Sequence, residues 1–212
     1  MIAQGGSGMK LNFKVIIPLV LSLIFIYSMM IYTFDHKVIF WYLYAFILLV
    51  GIAVALVYSN FKDELPTWNY LLFGVGYGTI LYGIVKLGHL ILPYIDKGST
   101  NEIKSFLAYY APQSIWHYIF LVLIIVVGEE MFWRGFVQQK LKHYTSPFVA
   151  VVITSLLFSI SLAISGFAAG AIAALVVGII LGGLYEWKKS LPLIIVAHET
   201  FVILLFLVLP LH

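Results

Sequence analysis

The chain contains no cysteine in its 212 residues. That absence excludes disulfides, thiolate metal sites and a cysteine nucleophile. Charge is scarce as well: 10% of residues are Asp, Glu, Lys or Arg, against about 25% in soluble domains. With 63% hydrophobic residues, a water-soluble globule is excluded too. The 12 basic and 9 acidic residues are scattered at the edges of apolar runs and form no basic stripe, so the sequence points to no nucleic-acid partner. Low-complexity tails and tandem repeats are missing, and no second, soluble domain is visible.

What the chain does have is long apolar runs, and these predict an all-α polytopic transmembrane bundle. About seven segments of membrane-crossing length can be drawn: Val15–Phe34, Val38–Tyr58, Asn69–Tyr94, Ser114–Lys142, Pro147–Ile164, Phe167–Trp187 and Pro192–Leu209. A β-barrel would need shorter segments of strict alternation, which these are not. Between the third and fourth segments, Ile103, Phe106, Leu107 and Tyr110 recur at helical spacing, predicting a short interfacial helix within Ile95–Gln113. Residues 1–8, with their Gly-Gly-Ser-Gly run, read as an appended flexible joint, and residues 9–212 as a single transmembrane domain.

Lysine and arginine positions set the expected orientation. With the N-terminus in the cytoplasm, the inner side carries Lys10, Lys14, Lys62, Arg134, Lys140, Lys142, Lys188 and Lys189, and the outer side Lys37, Lys97 and Lys104. Lys86 lies inside the third segment, close to His89. Small residues recur every fourth position at Gly74 and Gly78, and again at Gly170, Ala174, Gly178 and Gly182, which marks two faces for close helix packing.

Carboxylates inside a membrane helix cost about 2.5–3.5 kcal/mol each on insertion scales, so Glu129-Glu130, at the end of the uncharged run from Tyr118, stands out. Arg134 follows one turn later, at the i+4 position that suits an ion pair with Glu130. Glu129 is rotated about 100° away and free to meet another neighbour. An antiparallel hairpin turning at Tyr144–Pro147 would bring Phe158 to Leu162 to the depth of Glu129. His198, followed by Glu199, interrupts the last apolar segment. A glutamate near a histidine in a membrane cavity has the parts that water activation needs, a carboxylate base and an imidazole that can steady an oxyanion. The bland alternative is a helix-end staple by Glu130 and Arg134, with His198 bonded to a backbone carbonyl. His36, His89, His117, His143 and His212 lie at loops or helix ends.

Gly128-Glu129-Glu130-Met131-Phe132-Trp133-Arg134-Gly135 resembles the EExxxR motif of the CAAX-protease and bacteriocin-processing family of intramembrane glutamate proteases, also called CPBP or Abi. The resemblance covers about residues 114–209. It implies that Glu129 is the catalytic base, with Glu130 and Arg134 in support. The family's second motif, FxxxH, is matched at Phe158, but Leu162 stands where the histidine would be. Its third, HxxxN or HxxxD, is matched at His198, but Val202 stands in place of the amide or acid. In the family those missing groups help to hold the water and the developing oxyanion; Ser159, Ser161 and Glu199 are candidates to substitute in part. No cofactor is expected. His198-Glu199 opens an HExxH pattern that Val202 breaks, so no metal site is expected either.

Three functions follow as expectations. The first is an intramembrane endopeptidase that cleaves a peptide or membrane-anchored substrate with Glu129-activated water, at full or impaired rate. The second is a catalytically silent scaffold that binds a partner membrane protein. A small transporter using Lys86 and the carboxylates is the third, disfavoured because no interrupted half-helices or inverted repeat are visible. Composition suggests a multi-pass protein of a bacterial plasma membrane.

Overall fold

The computed structural model describes residues 13–61 and 63–210. The joint at residues 1–8, Lys10, Lys62 and His212 lie outside the described residues. Helix α1 spans Phe13–Asp35 and α2 spans Phe40–Tyr58, with a single 3₁₀ turn at Lys37–Ile39 between them. Then come α3 (Thr67–Ile95), the short α4 (Ser99–Tyr110) and the long α5 (Ile115–Leu141). The chain closes with α6 (Pro147–Ala163), α7 (Ala168–Lys188) and α8 (Leu191–Val208).

Six of these helices are long and apolar enough to cross a bilayer. The fifth expected crossing is α6, shorter at 17 residues, which sits at the lower limit of about 17 for a span. The chain is therefore an all-α, multi-pass membrane bundle, and the expected short helix between the third and fourth segments is α4.

Helix starts follow local chemistry. Ser146 caps α6 by accepting from the Val149 N–H at 3.4 Å, with Pro147 beside it, and Ser190 caps α8 by accepting from the Leu193 N–H at 3.4 Å ahead of Pro192. A proline near the start of a helix removes a backbone donor that would be unpaired anyway. Gly166, at φ +79°, turns the chain from α6 into α7, a conformation open to glycine at no steric cost.

The small-residue faces pack as their spacing implies. A Cβ on Gly178 would lie 3.0 Å from the Ser155 Cβ, and one on Gly182 3.0 Å from the Val151 Cγ1, so α6 and α7 run antiparallel in close contact. A Cβ on Gly74 would meet Val196 at 2.7 Å, and Gly78 faces Ala197 and Thr200. Both positions advance in the same direction along α8, so α3 and α8 are parallel neighbours, as befits two crossings made in the same sense. Gly170 differs: its neighbour is the Phe167 ring.

The two ends of the bundle are chemically distinct. At one, Glu186 Oε2 holds Lys142 Nζ and Lys189 Nζ, each at 2.7 Å, while its Oε1 accepts from Gln138 at 2.9 Å and Gln139 at 3.2 Å. The α2–α3 loop docks there, Ser190 Oγ donating to Asp63 Oδ1 at 2.8 Å. At the other end, α4 packs Phe106 on Phe167 with ring centroids 4.0 Å apart, and Glu102 Oε1 accepts from the Ala168 N–H at the start of α7. A carboxylate there complements the positive end of the helix dipole.

Candidate active site

The site is assembled from three helices. α5 contributes Glu129, Glu130 and Arg134, α8 contributes His198, and α2 contributes Tyr44. Two stretches of α5, Leu121–Val126 and Glu130–Gln138, have the wider π-helical winding, a local distortion frequent at functional sites. It leaves the Glu130–Arg134 contact intact: Arg134 NH1 donates to Glu130 Oε1 at 2.9 Å.

His198 stands between the two carboxylates. Its Nδ1 is 2.7 Å from Glu130 Oε1, while its Nε2 is 3.8 Å from Glu129 Oε2. Its partners are side chains, so the alternative of a backbone carbonyl partner for His198 does not describe this fold. Tyr44 donates its hydroxyl to Glu129 Oε1. Burial is nearly complete: Glu129 is 6% exposed, Glu130 0%, Arg134 1% and His198 5%. Four ionisable groups are thus buried together, and their mutual contacts make that tolerable, since ionisable groups inside membranes pair with one another.

Phe158 lies under the arginine rather than beside the base. The Arg134 Cζ is 4.9 Å from the Phe158 ring centroid, and the Trp133 ring is 5.8 Å from it. Arginine over an aromatic face is a favourable pairing that stiffens the guanidinium. Glu130 Oε2 and Arg134 NH2 have no hydrogen-bond partner, so polar capacity remains within the site.

Arg134, an inner-side residue by the lysine and arginine count, is buried against Glu130 in the ion pair that its i, i+4 spacing implies. Ser159 Oγ donates to the Ala171 carbonyl at 2.7 Å and Ser161 Oγ to the Phe158 carbonyl at 2.7 Å, so both candidate substitutes already spend their protons on backbone. Glu129, rotated away from Arg134, meets other neighbours instead: Tyr44 holds one of its oxygens and His198 faces the other. Leu162 is partly buried against the core and Val202 is buried, so hydrocarbon occupies both departures from the motifs. Among the described residues, no three His, Asp or Glu side chains are arranged to hold a metal ion.

Residues 111–204 match the family model described as Type II CAAX prenyl endopeptidase Rce1-like. Over those residues the chain is similar to that family. The matched segment begins just ahead of α5 and ends in the last turns of α8, so it contains Glu129, Glu130, Arg134, Phe158 and His198, together with the departures Leu162 and Val202. Comparison with curated proteins and with solved structures returned no match.

Tyr44 lies outside the matched segment, and sequence reasoning missed it. In an apolar run containing Tyr42, Tyr44 and other aromatics, nothing in the pattern separates the tyrosine that meets a carboxylate from those that meet lipid.

Proposed function

We propose that this chain hydrolyses a peptide bond in a peptide or membrane-anchored substrate, with Glu129 as the general base toward water. The observation that carries this reading is His198 standing between Glu129 and Glu130. A proton on Nδ1, donated to Glu130 Oε1, leaves Nε2 as an acceptor that faces Glu129. The 3.8 Å from Nε2 to Glu129 Oε2 is too long for a direct hydrogen bond, yet one water oxygen fits within about 2.8 Å of both atoms. Such a water donates one hydrogen to each acceptor and turns a lone pair toward the substrate carbonyl.

As the new C–O bond forms, Glu129 takes the proton. As the C–N bond breaks, that proton passes to the leaving amine, so one water is consumed and a carboxylic acid and an amine result. Glu130 and Arg134 act on the imidazole, fixing its tautomer and orientation. With hydrocarbon at Leu162 and Val202, the site lacks two polar groups that the resemblance assigns to water and oxyanion. Removal of one oxyanion donor typically costs about 2.7–4 kcal/mol, or 10²–10³ in rate, so turnover is slow.

A second reading rests on those same two positions: a non-catalytic scaffold that binds and regulates a partner membrane protein. The readings separate in a profile of new peptide N-termini in membranes of cells expressing wild type or Glu129→Gln at equal abundance. N-termini that vanish with Gln support hydrolysis; identical profiles, with a phenotype kept by both, support the scaffold. A farnesylated peptide and its unmodified twin then test prenyl dependence. We propose a bacterial plasma membrane as the location, with the Lys142, Lys188 and Lys189 end and the N-terminus in the cytoplasm, following the lysine asymmetry.

A further inference from the structure

We infer that Tyr44 is the positioning residue for the catalytic carboxylate, and that α2, outside the segment that matches the family model, completes the site; this rests on the proposed role of Glu129 as base. A carboxylate has two oxygens, and only one of them can face the water held with His198. Tyr44 donates to Oε1, so Oε2 is the atom turned toward His198 Nε2 at 3.8 Å. Without that donor the carboxyl group is free to rotate about its terminal torsion, a broad and roughly two-fold one.

The backbone explains how Tyr44 arrives there. A Cβ on Gly128 would lie 2.8 Å from the Leu48 Cβ and 3.2 Å from the Leu48 carbonyl oxygen. Glycine next to the base therefore admits α2 to close approach. Tyr44 sits one turn before Leu48, on the same face of α2. Its own ring is steadied by Phe40, with centroids 5.6 Å apart. The glycine in the motif segment and the tyrosine outside it thus form one device.

The test uses the full chain in proteoliposomes with a membrane-anchored peptide identified by N-terminus profiling. Tyr44→Phe keeps the ring and removes the donor. The expected result is a fall in kcat of about 10- to 100-fold, the scale of a misoriented catalytic group, with KM unchanged. Tyr82→Phe, which removes a donor to the Leu209 carbonyl instead, serves as control and keeps kcat within about twofold, as for a change remote from the chemistry. Gly128→Ala, which pushes α2 away, lowers kcat in the same way.

A Tyr44→Phe rate within twofold of the Tyr82→Phe control overturns the assignment. An infrared measurement needs no turnover: the carboxyl band that Glu129→Gln removes should shift in Tyr44→Phe, and an unmoved band also overturns it. If Glu129→Gln keeps cleavage while the band shifts, hydrolysis by Glu129 fails and the Tyr44 contact stands.

Discussion

Removing Arg134 should destabilise the bundle strongly, because it breaks a buried ion pair from one side. Its guanidinium is 1% exposed, donates to Glu130 Oε1 at 2.9 Å, and lies 4.9 Å from the Phe158 centroid. Arg134→Met keeps much of the volume but leaves the Glu130 carboxylate, itself 0% exposed, with the His198 imidazole as donor and no cation beside it. Breaking a buried pair from one side costs about 3–5 kcal/mol, and the lost contact with Phe158 adds about 0.5–2 kcal/mol. The double variant Glu130→Leu/Arg134→Met removes the stranded charge, since an apolar replacement of a whole buried pair is often close to neutral. What remains is His198 Nδ1 without its acceptor, worth about 1–3 kcal/mol. The stability order is therefore wild type, then the double variant, then Arg134→Met. Reversible unfolding in mixed micelles, followed by tryptophan fluorescence, measures it. A double variant as unstable as Arg134→Met, or a single variant within 1 kcal/mol of wild type, would refute the charge-pair account.

Further outcomes follow from other features. Gly74→Ala should lose about 1–3 kcal/mol by overpacking against Val196, whereas Gly76→Ala, whose Cβ meets nothing within 4 Å, should be no less stable than wild type in the same unfolding assay. Val202→Asn, which returns an amide one turn beyond His198, should raise kcat toward about 10²-fold in the peptide assay if Glu129 is the base; an unchanged rate counts against the position as an oxyanion donor. Burial, and then the nearby Asp35 charge, push the Tyr110 phenol above the usual 10.0. The neutral form is therefore favoured by folding, so this contribution is full below the unfolded pKa and is lost as pH rises through the folded one. Tyr110→Phe should flatten the alkaline decline in thermal stability, and an identical decline in both proteins would refute it.

The fold was largely legible because lipid imposes a simple demand: apolar length, with a turn such as Tyr144–Pro147, marks where helices begin and end. The Gly74 and Gly78 face, and that of Gly178 and Gly182, could be read for the same reason, since small side chains at a helical interval admit a neighbour. The local pair of Glu130 and Arg134 was visible as spacing within one helix. What brings Tyr44 to Glu129 was not, because that contact depends on which face of α2 meets Gly128, and an all-round apolar helix carries no period to say so. The serines of α6 misled for a related reason: a hydroxyl one residue from a motif position can as easily turn to a backbone carbonyl, as Ser159 and Ser161 do.

The Glu130–Arg134 contact has a consequence for biosynthesis. Helices leave the translocon in chain order, so α5 must enter the bilayer before His198 has been synthesised. A charge paired within one helix travels with its own counter-ion, and α5 therefore crosses with Glu129 as its single uncompensated acid instead of three separate charges. The second half of the site can then be completed later, by a helix that follows α5 and finds a carboxylate already held in place.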